Sequence, residues 1–406
     1  MNKDTKLSYR WFMLAVSVLA MLVAGIIYAW SILKVPLAED FGWQPQQLSL
    51  NFTLTMCCFC LGGLLGSFLS RKIGAKLSTI ISAVMSGGGM ALTGFLNGNS
   101  IFMLYLTYAI LAGLGIGIAY NVVISTVSAW FPDKKGLCTG CLMMGFGASS
   151  LILGSLADKL FNSSFDRKGT YIILGIALFV IIGVVSIFMK RPGENVVFPT
   201  PNKKKNSFAE SFEQKDFSTK DMMKRFTFWR AFILLCFSTA VGNSVISFAR
   251  DLALSVGAEV ALATTLVGVL AVCNGLGRIL TGAMFDAFGR KVTMFSATVL
   301  TIVAAGITLL SVAIESLPIC IVGLCLTGLS YGSCPTMVSS FTSAFYGQKH
   351  FASNFSVMNC NLIFASFIAT ACTSLLGKFG GYTIPFVLLL SLAVIALLLN
   401  LSIKKP

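Results

Sequence analysis

The sequence predicts an all-α membrane protein of twelve transmembrane helices, arranged as two parallel six-helix repeats. Three observations predict it. Of its 406 residues, 56% are hydrophobic and only 11% are charged, whereas a soluble chain carries about a quarter charged residues. Apolar runs of roughly twenty residues, each long enough to cross a ~30 Å hydrocarbon core, recur along nearly the whole length. With the N-terminus placed inside, 23 of the 30 Lys and Arg fall in cytoplasmic segments and 6 on the opposite side, which is the positive-inside pattern. The net charge of +15 therefore describes membrane orientation, and no nucleic-acid partner is expected.

The runs lie at about 11–31, 47–70, 77–96, 100–126, 136–157 and 170–189, then at 228–249, 260–285, 292–313, 317–343, 351–376 and 382–403. The first is long enough to be a retained helix rather than a cleaved signal. Residues 1–189 form an N-terminal bundle, 190–227 a polar cytoplasmic linker, and 228–406 a C-terminal bundle. The linker contains three prolines and many charges, a composition that resists packing into a core. Its basic residues suit anionic lipid headgroups, and "FAESFEQ" (208–214) is expected as a short surface helix. Both termini are expected in the cytoplasm of a bacterial cell, the chain multi-pass in the cell membrane and functional as a monomer.

The 12 cysteines lie in or beside the apolar runs. "CCFC" (57–60) and "CTGC" (138–141) have spacings that suit metal or redox work, but no His or carboxylate accompanies either. Small apolar packing is the expected role, with no metal, no cofactor and no enzymatic constellation.

A constant offset of 215 relates the halves. It pairs Leu61, Gly62, Gly74 and Lys76 with Leu276, Gly277, Gly289 and Lys291. It also pairs Leu111, Gly113, Leu114 and Gly117 with Leu326, Gly328, Leu329 and Gly332, and Lys134 with Lys349. Twelve runs, a parallel repeat, a long central loop and "GAMFDAFGRK" (282–291) resemble the major facilitator superfamily. The N-terminal copy of that turn, "SFLSRKIGAK" (67–76), is degenerate, with Arg71 at the position of Asp286. The resemblance implies that Asp286 and Arg290 serve gating, with Asp286 capping or pairing near a helix end.

Arg278 is the one basic residue left over, inside the eighth run, and its counterpart at the offset is Gly63. Eight residues from Asp286, at about 1.5 Å each, place it roughly 12 Å into the membrane. An arginine there costs at least ~2.5–3.5 kcal/mol unless it meets water or an anion. All 15 Asp and Glu lie in loops or at helix ends, so no buried carboxylate is available in mid-span. Snorkelling to the interface is one reading. The other leaves Arg278 as counter-charge to an anionic substrate, which its planar fork suits. Gly268, Ala271, Asn274, Gly275, Thr281 and Gly282 share its helical stripe. Part of that stripe is close packing, and Asn274 is expected to orient the guanidinium or contact the ligand.

"YAWSIL" (28–33), "GLGIGIAYNVVISTVSAWFPDKKGLCTG" (113–140), "GFGASS" (145–150), "FARDLALSVG" (248–257) and "NGLGRILTGAMFDAFGRK" (274–291) sharpen the resemblance to the oxalate/formate antiporter family and the monocarboxylate porters. It implies that Arg278 binds a small carboxylate anion, and that Tyr28, Tyr120 and Tyr331 wall the pocket; ordinary packing competes for each tyrosine. The eleventh run departs from the oxalate-handling pattern. It has no Lys or Arg between Lys349 and Lys378, Leu362 stands at the expected lysine, and Asn359 stands near an expected aromatic. One cation suits a monoanion, because a second buried charge without a partner carries a penalty of several kcal/mol. The expected function is monocarboxylate exchange, for formate-, lactate- or pyruvate-sized substrates, by alternating access. Proton-coupled symport, oxalate antiport and multidrug efflux are the alternatives.

Overall fold

The computed structural model describes residues 3–98, 100–193, 198 and 216–403. The first half contains α1 (Lys3–Ala24), a 3-10 turn (Gly25–Ala29), α2 (Trp30–Phe41), α3 (Pro45–Lys72), α4 (Gly74–Gly94) and α5 (Ile101–Leu104). A π-helical stretch (Tyr105–Ala112), α6 (Gly113–Ser128), α7 (Lys135–Phe161) and α8 (Asp166–Phe188) complete it. After α9 (Thr219–Met223) come α10 (Phe226–Ser255), α11 (Val260–Ala313), α12 (Leu317–Tyr346), α13 (Phe351–Asn359), α14 (Asn361–Phe379) and α15 (Thr383–Ser402).

Among the described residues, 11 helices are long and apolar enough to span a bilayer. The twelfth crossing is hidden in α11, whose 54 residues at ~1.5 Å each would run about 80 Å, far beyond one membrane. Gly289 divides it with φ 73 and ψ −174, a conformation that glycine alone adopts without strain. Its counterpart Gly74 also has positive φ, at 84. The turn geometry therefore persists in the N-terminal copy although its aspartate does not.

Two compact units make up the chain: Met1–Asp133 with Gly145–Pro199, and Lys134–Met144 with Thr200–Pro406. The first turns of α7 thus group with the second unit. In the first unit α4 packs along α8, and α3 along α6; in the second α11 packs along α12, and α10 along α14 and α15.

The repeat is visible inside each unit as the same set of close helix approaches. A Cβ on Gly62 would overlap the carbonyl oxygen of Leu114, and one on Gly277 that of Leu329. Gly117 lies against the carbonyl of Phe59 as Gly332 lies against that of Asn274. Gly113 meets Thr55 and Cys58 where Gly328 meets Leu270 and Cys273. All three pairs of contacts differ by the same 215 residues. Small residues let the backbones touch, which drives association where lipid supplies no hydrophobic force between helices. Large apolar side chains such as Phe102, Ile187, Leu398 and Leu401 remain exposed, as a lipid-facing surface requires.

The linker's end is tied down. Asp216 accepts the backbone N–H of Gln348 at 2.9 Å and of Lys349 at 3.0 Å. Phe217 donates its N–H to the Tyr346 carbonyl at 3.1 Å, and its own carbonyl accepts from Asn354 Nδ2 at 3.0 Å. The turn after α12 opens at Gly347 with φ 78, which presents these N–H groups to the carboxylate. The short helix expected at 208–214 lies outside the described residues.

Candidate functional site

Arg278 lies on α11 with 1% of its surface exposed, among the largest fully buried side chains. Nε donates to Asn274 Oδ1 at 3.2 Å, one turn back on the same helix. Nη1 donates to the main-chain carbonyl of Met143 on α7. The i, i+4 spacing brings Asn274 to the guanidinium, so it orients the cation. Among the described residues, no carboxylate lies within ion-pairing distance of Arg278. The guanidinium is buried against two neutral acceptors.

The side chain is held because α7 and α11 approach closely beneath it. A Cβ on Gly282 would overlap the carbonyl of Gly136, and one on Gly136 that of Gly282. A Cβ on Gly140 would stand 2.6 Å from the Arg278 carbonyl oxygen. One turn beyond Gly282, Asp286 Oδ1 accepts from Gly136 N at 2.8 Å and Oδ2 from Leu137 N at 2.7 Å. A carboxylate on the first N–H groups of a helix satisfies orphan donors and meets the positive end of its dipole. Arg290 is 8% exposed, and its guanidinium carbon lies 5.1 Å from the centre of the Phe345 ring.

On α12, Gly332 abuts the backbone of Asn274 and Arg278, while Thr336 Oγ1 donates to the Arg278 carbonyl at 3.2 Å. Tyr331 is buried, its ring lying where a Cβ on Gly242 of α10 would be. Asn359 ends α13 and Asn361 begins α14, both buried, with Cys360 between them. Asn361 Nδ2 donates to the Met358 carbonyl at 2.7 Å. This amide bonds back across the bend between α13 and α14.

Tyr28 and Tyr120 belong to the first unit, where both meet Phe146 edge-on at ring separations of 5.4 and 5.0 Å. Phe59 adds a further ring 5.0 Å from Tyr120. Tyr28 sits on the 3-10 turn and is half-buried; Tyr120 is buried. At the repeat offset, Phe59 corresponds to Asn274, Phe146 to Asn361 and Gly63 to Arg278. The first unit thus carries rings where the second carries amides, and a glycine where the second carries the cation.

Sequence reasoning missed Met143, which acts through its main chain, and the two phenylalanines. Gly136 and Gly140, four residues apart and matched to Gly282, were the available signal for the α7–α11 contact. A fixed, buried cation among neutral acceptors, on a helix joined closely to its neighbour, can hold an anion by charge-assisted bonds.

The Major Facilitator Superfamily model matches residues 10–359 and 231–406. The uncharacterised transporter YhjX of Escherichia coli is 25% identical over 351 residues, covering 86% of this chain and 84% of that protein. The oxalate:formate antiporter of Oxalobacter formigenes is 27% identical over 294 residues, covering 71% of this chain and 66% of that one. Mouse monocarboxylate transporter 12 is 26% identical over 346 residues, with coverages of 79% and 69%. The proton:xylose symporter XylE superposes with a TM-score of 0.75 at 13% identity, covering 98% of this chain and 96% of that one. FucP in its outward conformation gives 0.70 at 12% identity, with coverages of 98% and 100%. This chain belongs to the Major Facilitator Superfamily, a family of membrane transporters rather than enzymes.

Proposed function

We propose that this transporter exchanges small monocarboxylate anions by alternating access, with Arg278 as the substrate's counter-charge. The observation that carries the reading is the buried guanidinium whose bonds run to Asn274 and the Met143 carbonyl, neutral groups both. A buried cation without a formal counter-charge is expensive, and a carboxylate supplies one. Loaded, the site is close to neutral; unloaded, it carries a full charge. That difference favours exchange over net flux. Asn274 and Asn359 would add neutral hydrogen bonds, and Tyr28, Tyr120 and Tyr331 aromatic surface. Asp286 and Arg290 would serve gating, with both termini cytoplasmic.

Oxalate exchange is the second reading, favoured by the similarity to an oxalate:formate antiporter. Against it stands the eleventh span, where Leu362 is buried and apolar and no second cation is present between Lys349 and Lys378.

Reconstitution into liposomes tests the proposal. Counterflow of labelled formate, lactate, pyruvate and oxalate is expected to show exchange of monocarboxylates, and Arg278→Gln to abolish it. Fast oxalate exchange would overturn the monoanion assignment. Full activity of Arg278→Gln would remove the site. Accumulation into empty liposomes, driven only by an inward proton gradient, would replace exchange with symport.

A further inference from the structure

We infer that a substrate carboxylate displaces the Met143 carbonyl from Arg278, and that this loosens the start of α7 from α11. The inference rests on the proposed anion site and names how occupancy of that site is transmitted.

A guanidinium offers a carboxylate two bidentate edges, one formed by Nε with Nη2 and one by Nη1 with Nη2. Each edge already has a nitrogen engaged: Nε with Asn274 Oδ1, and Nη1 with the Met143 carbonyl. A bidentate anion on either edge therefore competes with one of these acceptors for a shared nitrogen. Displacing Asn274, which is only 8% exposed, would strand a buried amide oxygen, and an unmet buried acceptor is costly. The Met143 carbonyl lies inside α7, where the helix itself supplies an i+4 donor. It loses the arginine and remains satisfied. The anion therefore takes the edge that Met143 occupies.

That choice has a structural consequence, because the same short segment is held to α11 at successive turns. Asp286 binds Gly136 and Leu137, Gly136 packs on Gly282, Gly140 packs on the Arg278 backbone, and Arg278 binds Met143. The substrate cation and the helix-capping carboxylate lie eight residues apart on one helix and grip opposite ends of one segment. Removing the arginine end leaves one fewer tie between this segment and α11, with Asp286 and the glycine contacts still in place.

Native Cys138 reports on this segment. It is 1% exposed and lies between Leu137 and Gly140. The full-length protein in liposomes is pulsed with N-ethylmaleimide in saturating formate, lactate or pyruvate, or in chloride, and Cys138 modification is read by mass spectrometry. Cys372, fully buried on α14, is the internal control. An anion that exchanges is expected to raise the Cys138 rate roughly tenfold, the scale of one hydrogen bond to a charged group, with Cys372 unchanged. In Asn274→Ala the Nε edge is open from the start, so the anion-dependent rise should shrink while anion-dependent thermal stabilisation persists. An anion that exchanges and stabilises the wild type yet leaves Cys138 unchanged, or protects it, overturns the coupling alone. Failure of all three anions either to exchange or to stabilise overturns the substrate site, and the coupling falls with it.

Discussion

Arg278 donates Nε–H to Asn274 Oδ1 at 3.2 Å, so the buried cation is oriented by a neutral amide from its own helix. Asn274→Asp keeps the shape and adds a negative charge. The new carboxylate would pair with the guanidinium and compete with the substrate. Counterflow at neutral pH is expected to fall about tenfold or more, the scale of a hydrogen bond to a charged group. Counterflow against substrate concentration checks this; the apparent KM should rise. Unchanged exchange would mean that Asn274 is remote from the transported anion.

Asp286 caps α7 through two backbone N–H groups. Asp286→Asn retains one oxygen acceptor but loses the charge that faces the helix dipole. A destabilisation of about 0.5–2 kcal/mol is expected for loss of a helix cap. Faster alkylation of Cys138 without added anion would report it.

Gly117 and Gly332 occupy corresponding positions and touch corresponding carbonyls, those of Phe59 and Asn274. An alanine at either forces two backbones apart, an overpacking that costs typically ~1–3 kcal/mol. Gly117→Ala and Gly332→Ala should therefore lower thermal stability by similar amounts. Gly332→Ala should in addition impair exchange more strongly, because its contact is with the residues that set Arg278. Equal stability loss with equal loss of exchange would separate the site from this contact.

Asp216 holds the N–H groups of Gln348 and Lys349. Asp216→Ala removes the Oδ1 acceptor that the two amides share. Hydrogen exchange at those two amides is expected to accelerate by about tenfold or more, with little change in the amides around Gly332. Unchanged protection at Gln348 and Lys349 would show that other contacts hold the turn.

Much of the architecture was legible because membrane helices advertise themselves by length and hydropathy, with all backbone bonds satisfied inside the segment. The 215-residue offset located glycines whose contacts proved to be repeated. Arg278 was legible by counting charge, since it stands inside an apolar run while every carboxylate lies in a loop or at a helix end. Asp286 was legible as a helix cap from its turn motif. The start of α7 was harder, because Gly136 and Gly140 name a close approach without naming the partner helix. Phe59 and Phe146 were unreadable as partners of Tyr120, since 33 phenylalanines in an apolar chain leave no pattern to single out two.

By itself the sequence determined that the chain crosses the membrane, that it is built as a repeat, and that one half carries a cation which the other lacks. Those properties follow from composition and from spacing along the chain. The tertiary structure alone decided which acceptors meet that cation. The Met143 carbonyl lies 135 residues from Arg278 in sequence, and a main-chain oxygen has no side-chain signature. Only the packing of α7 against α11, glycine on glycine, brings it within reach.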